Sequence, residues 1–472
     1  MNIVLFHPRG YDNTDGKTSL AHKAVKTAPI GLASIAAVLK KQGHQVTIYD
    51  AHLFARIPNS RWIEKIIDCN PDFVGFSATT QSFLDAYSVA AGIKEKQSDI
   101  SIVFGGAHVS WGQEELMRQY PAIDYIVAGE GEFAFAELAE GKNQSRIEGL
   151  IYRNGSRVES GPPRTALCTM DELPFPAYDL LDGFARKYEL ALFNYASHPG
   201  ATVISSRGCV YNCSYCDRSV FQKSFRWNSP EYTFELVKWL HTDFGIRHVI
   251  FYDDLFTLNR KRVSRLCSLL RQSTMKIRFN CIVRIGHIDN DLIQELKSAG
   301  CWMVHVGIES GDQKILDQHK QALSLEDIRR DINLIYDSGL WVKGLFMMGF
   351  PGESEESIQK TIDFACSLPL KDVNVTAFTP FPGAPITANI QSLGQFENDW
   401  EKMDCVNFVF VPNQLNSKET LQEYYGLFIR KFYNRPFMRK IYRRMLWESP
   451  HSYWRLVKHA GAFLSYASRL KT

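Results

Sequence analysis

Membrane-spanning segments are the first absence. No uninterrupted apolar stretch in the 472 residues approaches the length needed to cross a bilayer. The opening run Met-Asn-Ile-Val-Leu-Phe-His-Pro is too short for a secretory leader and carries no basic n-region. Charge of one sign is also missing. The net charge is +3, which gives no chain-wide case for binding nucleic acid. Neither G-x-x-x-x-G-K-[ST] nor a G-x-G-x-x-G after the first strand occurs, so a nucleoside triphosphate or a dinucleotide has poor support. Of ten cysteines, seven stand alone: Cys69, Cys168, Cys267, Cys281, Cys301, Cys366 and Cys405. Dispersed thiols without a leader point to the reducing cytoplasm rather than to a disulfide framework.

What remains is a soluble-type composition in a chain too long for one core, so two or three domains are expected. Short apolar runs predict strands at 2–7, 46–49, 73–76, 101–104 and 125–127. Helical spacing predicts helices at 30–41, 62–69, 86–95 and 113–118. Strands that are apolar throughout and alternate with helices form a parallel sheet with both faces covered. Residues 1–140 therefore read as a doubly wound, Rossmann-like α/β domain. Its polar and glycine residues gather after the strand ends: Ser77, Thr79 and Gln81, then Gly105, Gly106, His108 and Val109, then Glu130 and Gly131. Such sheets bind ligands at that edge.

Residues 141–194 read as a linker with a β-hairpin turning at Asn154-Gly155. The βα rhythm restarts over 195–385. Strands are expected at 201–205, 247–252, 277–283, 302–308, 342–348 and 373–378, a partial (β/α)6 barrel of the TIM type. Residues 386–472 read as a largely helical, basic and aromatic region.

One group breaks the scatter of cysteines. Cys209, Cys213 and Cys216 follow the first barrel strand with C-x3-C-x2-C spacing. Three thiolates can hold three irons of a cubane cluster and leave the fourth iron open to substrate. A structural zinc site would need a fourth ligand, and the nearest histidines are His198 and His241.

This spacing and position resemble the radical S-adenosylmethionine (SAM) superfamily. The resemblance implies a [4Fe–4S] cluster on the three cysteines, whose open iron chelates SAM. It implies reductive cleavage to a 5′-deoxyadenosyl radical that takes a hydrogen atom from substrate, and an electron donor such as flavodoxin or ferredoxin. Tyr215, before the last cysteine, matches the family's aromatic position. Asp253 and Asp254 end the second strand and face SAM or substrate. Arg284 ends the third strand, as a partner for the SAM carboxylate. Gly307-Ile-Glu309-Ser310 ends the fourth, with Glu309 accepting from the ribose. The Gly349-Phe-Pro351-Gly352 turn ends the fifth.

The order of an α/β domain, a hairpin linker and this barrel resembles the cobalamin-binding class, which includes anaerobic magnesium-protoporphyrin ester cyclases and many methyltransferases. That implies cobalamin at the glycine and hydroxyl positions of the first domain. The cobalt-ligating D-x-H-x-x-G pattern is missing from the first strand–helix loop. Asp50-Ala-His52 comes after the second strand without the glycine, so an open lower cobalt face is expected. The leading function is methyl transfer to an unactivated carbon of a small hydrophobic molecule. The second is cyclisation or rearrangement, and a non-enzymatic iron–sulfur or corrinoid carrier is the reading from another class. A methylthiotransferase would need three further cysteines where the first domain has only Cys69.

The C-terminal region carries nine Lys and Arg against one Glu between 430 and 458. The first reading is helices packed on the barrel mouth with solvated basic faces. The second is peripheral contact with an anionic membrane.

Overall fold

Apolar runs of three to six residues are too short for core helices, and they pair instead as strands. β1 (Asn2–His7), β2 (Gln45–Asp50), β3 (Phe73–Ser77), β4 (Ser101–Gly105) and β5 (Tyr125–Val127) form a parallel sheet in the order β2-β1-β3-β4-β5. The computed structural model describes residues 1–10, 26–164, 169–191, 193–320 and 322–458. Tyr11–Asn13 of the first loop, Cys168 and the tail beyond 458 lie outside them. Helices α1 (Ile30–Lys41), α2 (Asn59–Asp68), α3 (Phe83–Lys96), α4 (Ala107–Gln119) and α5 (Glu132–Ala139) cover both faces. Strand order reverses between β1 and β3, which opens a crevice at their carboxyl ends.

The hairpin differs from its expected place in the linker. Its strands β6 (Leu150–Asn154) and β7 (Arg157–Ser160) extend the first sheet antiparallel from β5. The turn chemistry at Asn154-Gly155 is local, whereas docking of the hairpin on β5 depends on partners far along the chain.

The second sheet begins with β8 (Gly200–Val203). A two-stranded ribbon, β9 (Ser206–Arg207) with β10 (Arg226–Trp227), brackets the cysteine loop. Then come β11 (His248–Phe251), β12 (Arg278–Val283), β13 (Cys301–Glu309), β14 (Trp341–Met348) and β15 (Asp372–Ala377). The six barrel strands run parallel in the order β15-β14-β13-β12-β11-β8, a curled half-barrel. Six helices lie between or after these strands: α6 (Pro230–Phe244), α7 (Arg260–Gln272), α8 (Asn290–Ser298), α9 (Gln313–His319), α10 (Leu325–Asp337) and α11 (Glu355–Ser367). Side-chain caps written in the sequence start several of them. Ser229 accepts from Tyr232 N–H with Pro230 next, Asp289 accepts from Leu292 N–H, and Ser354 forms a capping box with Ser357.

A half-barrel keeps two edges, and both are covered. On β8, the Tyr178 hydroxyl donates to the Thr202 carbonyl at 2.6 Å. On β15, the Tyr433 hydroxyl donates to Asp372 Oδ1 at 2.6 Å, and Ala377 N–H donates to the Cys405 carbonyl at 2.8 Å. Tyr433 ends α12 (Lys418–Tyr433), which is followed by α13 (Pro436–Glu448) and α14 (Pro450–Lys458). Between α12 and α13, the Arg435 guanidinium donates to the carbonyls of Ala365, Cys366, Leu368 and Leu370 at 2.9–3.3 Å, which ties these helices to the end of α11. The last two helices close the barrel at the amino ends of its strands, not at the cysteine-bearing mouth that the sequence suggested. No helix among the described residues is long and apolar enough to cross a membrane.

Candidate active site

The cysteine loop leaves β8 at the carboxyl end of the barrel. Gly208 precedes it with φ +88°, and a Cβ there would strike the Ser224 carbonyl oxygen, so glycine is required. All three thiols are free and half-buried. Burial, then the neighbouring Cys213 and Cys209 thiols, pushes Cys216 up to about 12. Cys209 and Cys216 both line one cavity, with Cys213 between them in the loop. Among the described residues, no three His, Cys, Asp or Glu side chains are placed to hold a single metal ion.

The paired aspartates divide their work. Asp253 is fully buried and turned into the loop's base. It accepts from Ser205 N–H at 2.7 Å and from the Ser205 and Ser206 hydroxyls at 2.6 Å, with Arg262 at 3.3 Å. It positions the loop and does not face a ligand. Asp254 accepts from Gly208 N–H at 2.8 Å and lines the cavity of about 220 Å³ beside Cys209 and Cys216. Burial, then Asp253, raises its carboxyl above the usual range.

Arg284 lies 3.5 Å from the centre of the Tyr211 ring inside the loop, and the Tyr211 hydroxyl meets His287 at 2.7 Å. Glu309 sits where the β13–β14 register shifts, with φ +67°. A left-handed glutamate is strained, and such strain gathers at functional sites. Lys320 donates to Glu309 Oε1 at 2.8 Å and to the Gly307 carbonyl at 2.6 Å. Glu309 Oε2 makes no hydrogen bond among the described residues. Burial, then the Glu309 charge, pushes the Tyr215 hydroxyl well above its usual range, so Glu309 faces the cluster loop. Ser310 is different: it is fully buried, and its hydroxyl pairs with Thr361 at 3.1 Å, away from the cavity.

Gly349 and Gly352 turn the fifth loop with φ +93° and +86°. Phe350 packs on Tyr215 at 5.4 Å and on His319 at 4.9 Å. His319 bridges the two loops, with Nε2 on the Pro351 carbonyl at 2.8 Å and Nδ1 on Ser214 Oγ at 2.9 Å. Neither His319 nor Lys320 was legible in the sequence, because a short helix brings both to the mouth. Glu353 accepts from Gly349 and Phe350 N–H at 2.6 and 3.2 Å, and burial raises it to about 8. It holds a proton at neutral pH that the unfolded chain has released, so stability falls as pH rises from about 4.5 to about 8. Glu353→Gln is expected to remove that slope in thermal melts and to keep both backbone hydrogen bonds. Glu353→Ala strands two N–H groups and is expected to cost about 2 kcal/mol.

In the first domain, a cavity of about 190 Å³ opens at the β1/β3 crevice. Ser77, Gly105, Gly106, Glu130 and Gly131 line it as expected, with Gly31, Ser34 and Phe135 added. Thr79, Gln81, His108 and Val109 do not. His108 is buried between Phe83 at 4.5 Å and Trp400 at 4.4 Å, which makes it a packing residue, and desolvation lowers it to about 4. Val109 is fully buried in the core. Glu130 lines the cavity, but both its oxygens are taken. Arg207 meets Oε1 at 2.6 Å and Arg226 meets Oε2 at 2.7 Å, while Arg207 also meets Glu132 at 2.6 Å. His7 is paired with Asp50 at 2.8 Å, and neither it nor His52 lines the cavity.

The two cavities share Val220 and Phe221, and Ala107 of the first domain stands in the wall of the cysteine cavity. A third space, a groove of about 550 Å³, lies between Trp111 on α4 and the segment 380–400, bordered by Pro380, Pro382, Phe396 and Trp400. It adjoins the cysteine loop, since Ile386 N–H donates to the Ser214 carbonyl at 3.0 Å.

Known proteins share this arrangement. The radical SAM superfamily pattern matches residues 203–365, and the B12 binding domain pattern matches residues 16–139. An uncharacterized methyltransferase of Pyrococcus horikoshii is 35% identical over 361 residues, which is 75% of this chain and 76% of that protein. The chain belongs to the cobalamin-binding radical SAM family. Another family member, the anaerobic magnesium-protoporphyrin IX monomethyl ester cyclase of Rubrivivax gelatinosus, is 25% identical over 93% of this chain and 78% of its own. The solved cobalamin-dependent S-adenosylmethionine radical enzyme OxsB, with aqua-cobalamin and S-adenosylmethionine bound, shares the fold. Its TM-score is 0.70 at 17% identity, over 96% of this chain and 72% of that one.

Family membership makes this chain an enzyme with a [4Fe–4S] cluster, SAM and cobalamin as cofactors. The cavities of this family member fit them. At Gly31 a Cβ would meet nothing within 4 Å, and at Gly105 nothing nearer than 3.9 Å. Side chains at either place would project into the space a flat corrin needs. The three thiols offer the donor set of a cluster with one open iron.

Proposed function

We propose that the enzyme transfers a methyl group to an unactivated carbon of a small molecule held in the groove between Trp111 and Trp400. The observation that carries this reading is the common wall. Val220 and Phe221 border both the glycine-lined cavity and the cysteine cavity. A corrinoid and a SAM-binding cluster set side by side suit a reaction that draws on both. When bound, the cluster supplies the electron that cleaves one SAM, and the corrinoid carries the methyl group of another. The chain's own residues orient SAM. Arg284 would pair with its carboxylate and Glu309 Oε2 would accept from the ribose hydroxyls, while Asp254 lines the cavity wall. Trp111, Phe396 and Trp400 would hold an apolar substrate by their faces. An electron donor of the flavodoxin or ferredoxin kind would reduce the cluster.

Cyclisation without methyl transfer is the second reading, favoured by the 93% coverage of this chain in its match to the cyclase. Anaerobic reconstitution with iron, sulfide and hydroxocobalamin, followed by turnover with methyl-labelled SAM, separates the two. Equal amounts of S-adenosylhomocysteine and 5′-deoxyadenosine with a labelled product support methyl transfer. 5′-Deoxyadenosine alone would replace it by the cyclase-type reading.

A further inference from the structure

Ten large apolar side chains are exposed among the described residues, and four of them fall between Leu446 and Val457. Trp447 is 78% exposed and Trp454 68%, with Val457 at 49% and Leu446 at 39%. Their spacing gathers them. On α13, Arg439, Lys440, Arg443, Leu446 and Trp447 recur at helical intervals on the exposed side, while Met438, Ile441 and Met445 face the barrel. On α14, Trp454, Val457 and Lys458 do the same. The adjoining cavity of about 830 Å³ adds exposed Arg247 and Arg278 from the amino ends of the strands and Lys297 from the last turn of α8. The one acid in this stretch, Glu448, is neutralised within the fold, paired with Arg444 and accepting from Trp341 Nε1 at 2.9 Å.

We propose that this face docks on an anionic membrane surface. Cations on one stripe meet acidic headgroups, and tryptophans prefer the headgroup boundary, where an apolar ring and a polar N–H are both satisfied. Single-stranded nucleic acid would also take up cations and aromatic rings. Leu446 and Val457 decide between them: aliphatic side chains offer a base no ring to stack on, but they gain from the acyl boundary. The docking face lies at the amino ends of the barrel strands and the cysteine loop at the carboxyl ends. Strands of eight or nine residues separate the two by about 25 Å. The groove beside Trp111 therefore faces away from the bilayer.

The test uses the full-length protein and co-sedimentation with two kinds of vesicle, phosphatidylcholine alone and phosphatidylcholine mixed in equal parts with phosphatidylglycerol. Binding is expected only to the mixed vesicles and is expected to weaken with salt. The variant Arg439→Gln/Lys440→Gln/Arg443→Gln is expected to bind about a hundredfold more weakly, at about fivefold per cation. Trp447→Ala/Trp454→Ala is expected to bind about tenfold more weakly, with unchanged circular dichroism and iron content. Quenching of wild-type tryptophan fluorescence by brominated phosphatidylglycerol is an independent readout that needs no variant. No binding to the mixed vesicles overturns the proposal. So does equal binding by the tryptophan variant, or binding to a single-stranded oligonucleotide in place of vesicles.

Discussion

Replacing Cys213 by alanine is expected to abolish SAM cleavage, to below about a thousandth of the parent rate, while the first domain stays folded. Three thiolates hold three irons, and removing one leaves two irons without a protein ligand. The loop offers no substitute, since Ser214 is engaged with His319 and Asp254 with Gly208. Iron content should fall well below four per chain. Neither hydrophobic cluster that builds the first domain contains a residue of this loop, so that domain should stay folded. Cleavage at the parent rate would remove the cluster assignment itself.

Arg207→Met is the second large effect. Arg207 leads directly into Gly208 and Cys209, and it holds two buried carboxylates of the first domain, Glu130 and Glu132. Burial alone would raise Glu132, but the Arg207 charge and hydrogen bond, with a backbone N–H and the Arg164 charge, together hold that carboxyl below its usual range. A depressed carboxyl contributes stability above its unfolded value, and that stability is lost as pH falls through the folded one. Breaking one partner of a buried pair costs about 3–5 kcal/mol, because a buried charge is left uncompensated. Thermal unfolding should come at least about 6 °C earlier at pH 7, with the difference narrowing in acid. Adding Glu132→Gln to Arg207→Met should restore part of the loss, since Glu130 keeps its pairing with Arg226. A single variant as stable as the parent would show that these ion pairs contribute nothing. Cobalt and iron loading should fall together in Arg207→Met, since the arginine lines one cavity and begins the loop of the other.

The sequence made the local features legible. Strand positions and the spacing of Cys209, Cys213 and Cys216 depend on residues a few places apart, and the strands fall within a residue or two of expectation, whereas three first-domain helices begin three to six residues earlier than expected. Long-range partners were not legible. Glu130 looks like a ligand contact until Arg207, 77 residues later, is found on it. His108 follows two glycines at a strand end, yet Trp400 from the far end of the chain buries it. Asp253 and Asp254 are adjacent and alike in sequence, and the turn after β11 sends one into the base of the loop and the other into the cavity. Lys320 gave no signal at all, being a lysine in a polar stretch that the short helix α9 delivers to Glu309.

The half-barrel's edges bear on how the chain can be cut. Tyr178 guards one edge from the linker, while Tyr433 and Cys405 guard the other from beyond residue 385. An unguarded parallel strand presents a row of open N–H and carbonyl groups, a template for pairing with another chain. A fragment trimmed to the 203–365 span of the radical SAM pattern would lose both guards and the whole of β15. It would carry the cysteines and the residues expected to face SAM, yet its expected fate is aggregation. The catalytic unit that can survive alone in solution is larger than the unit that carries the chemistry.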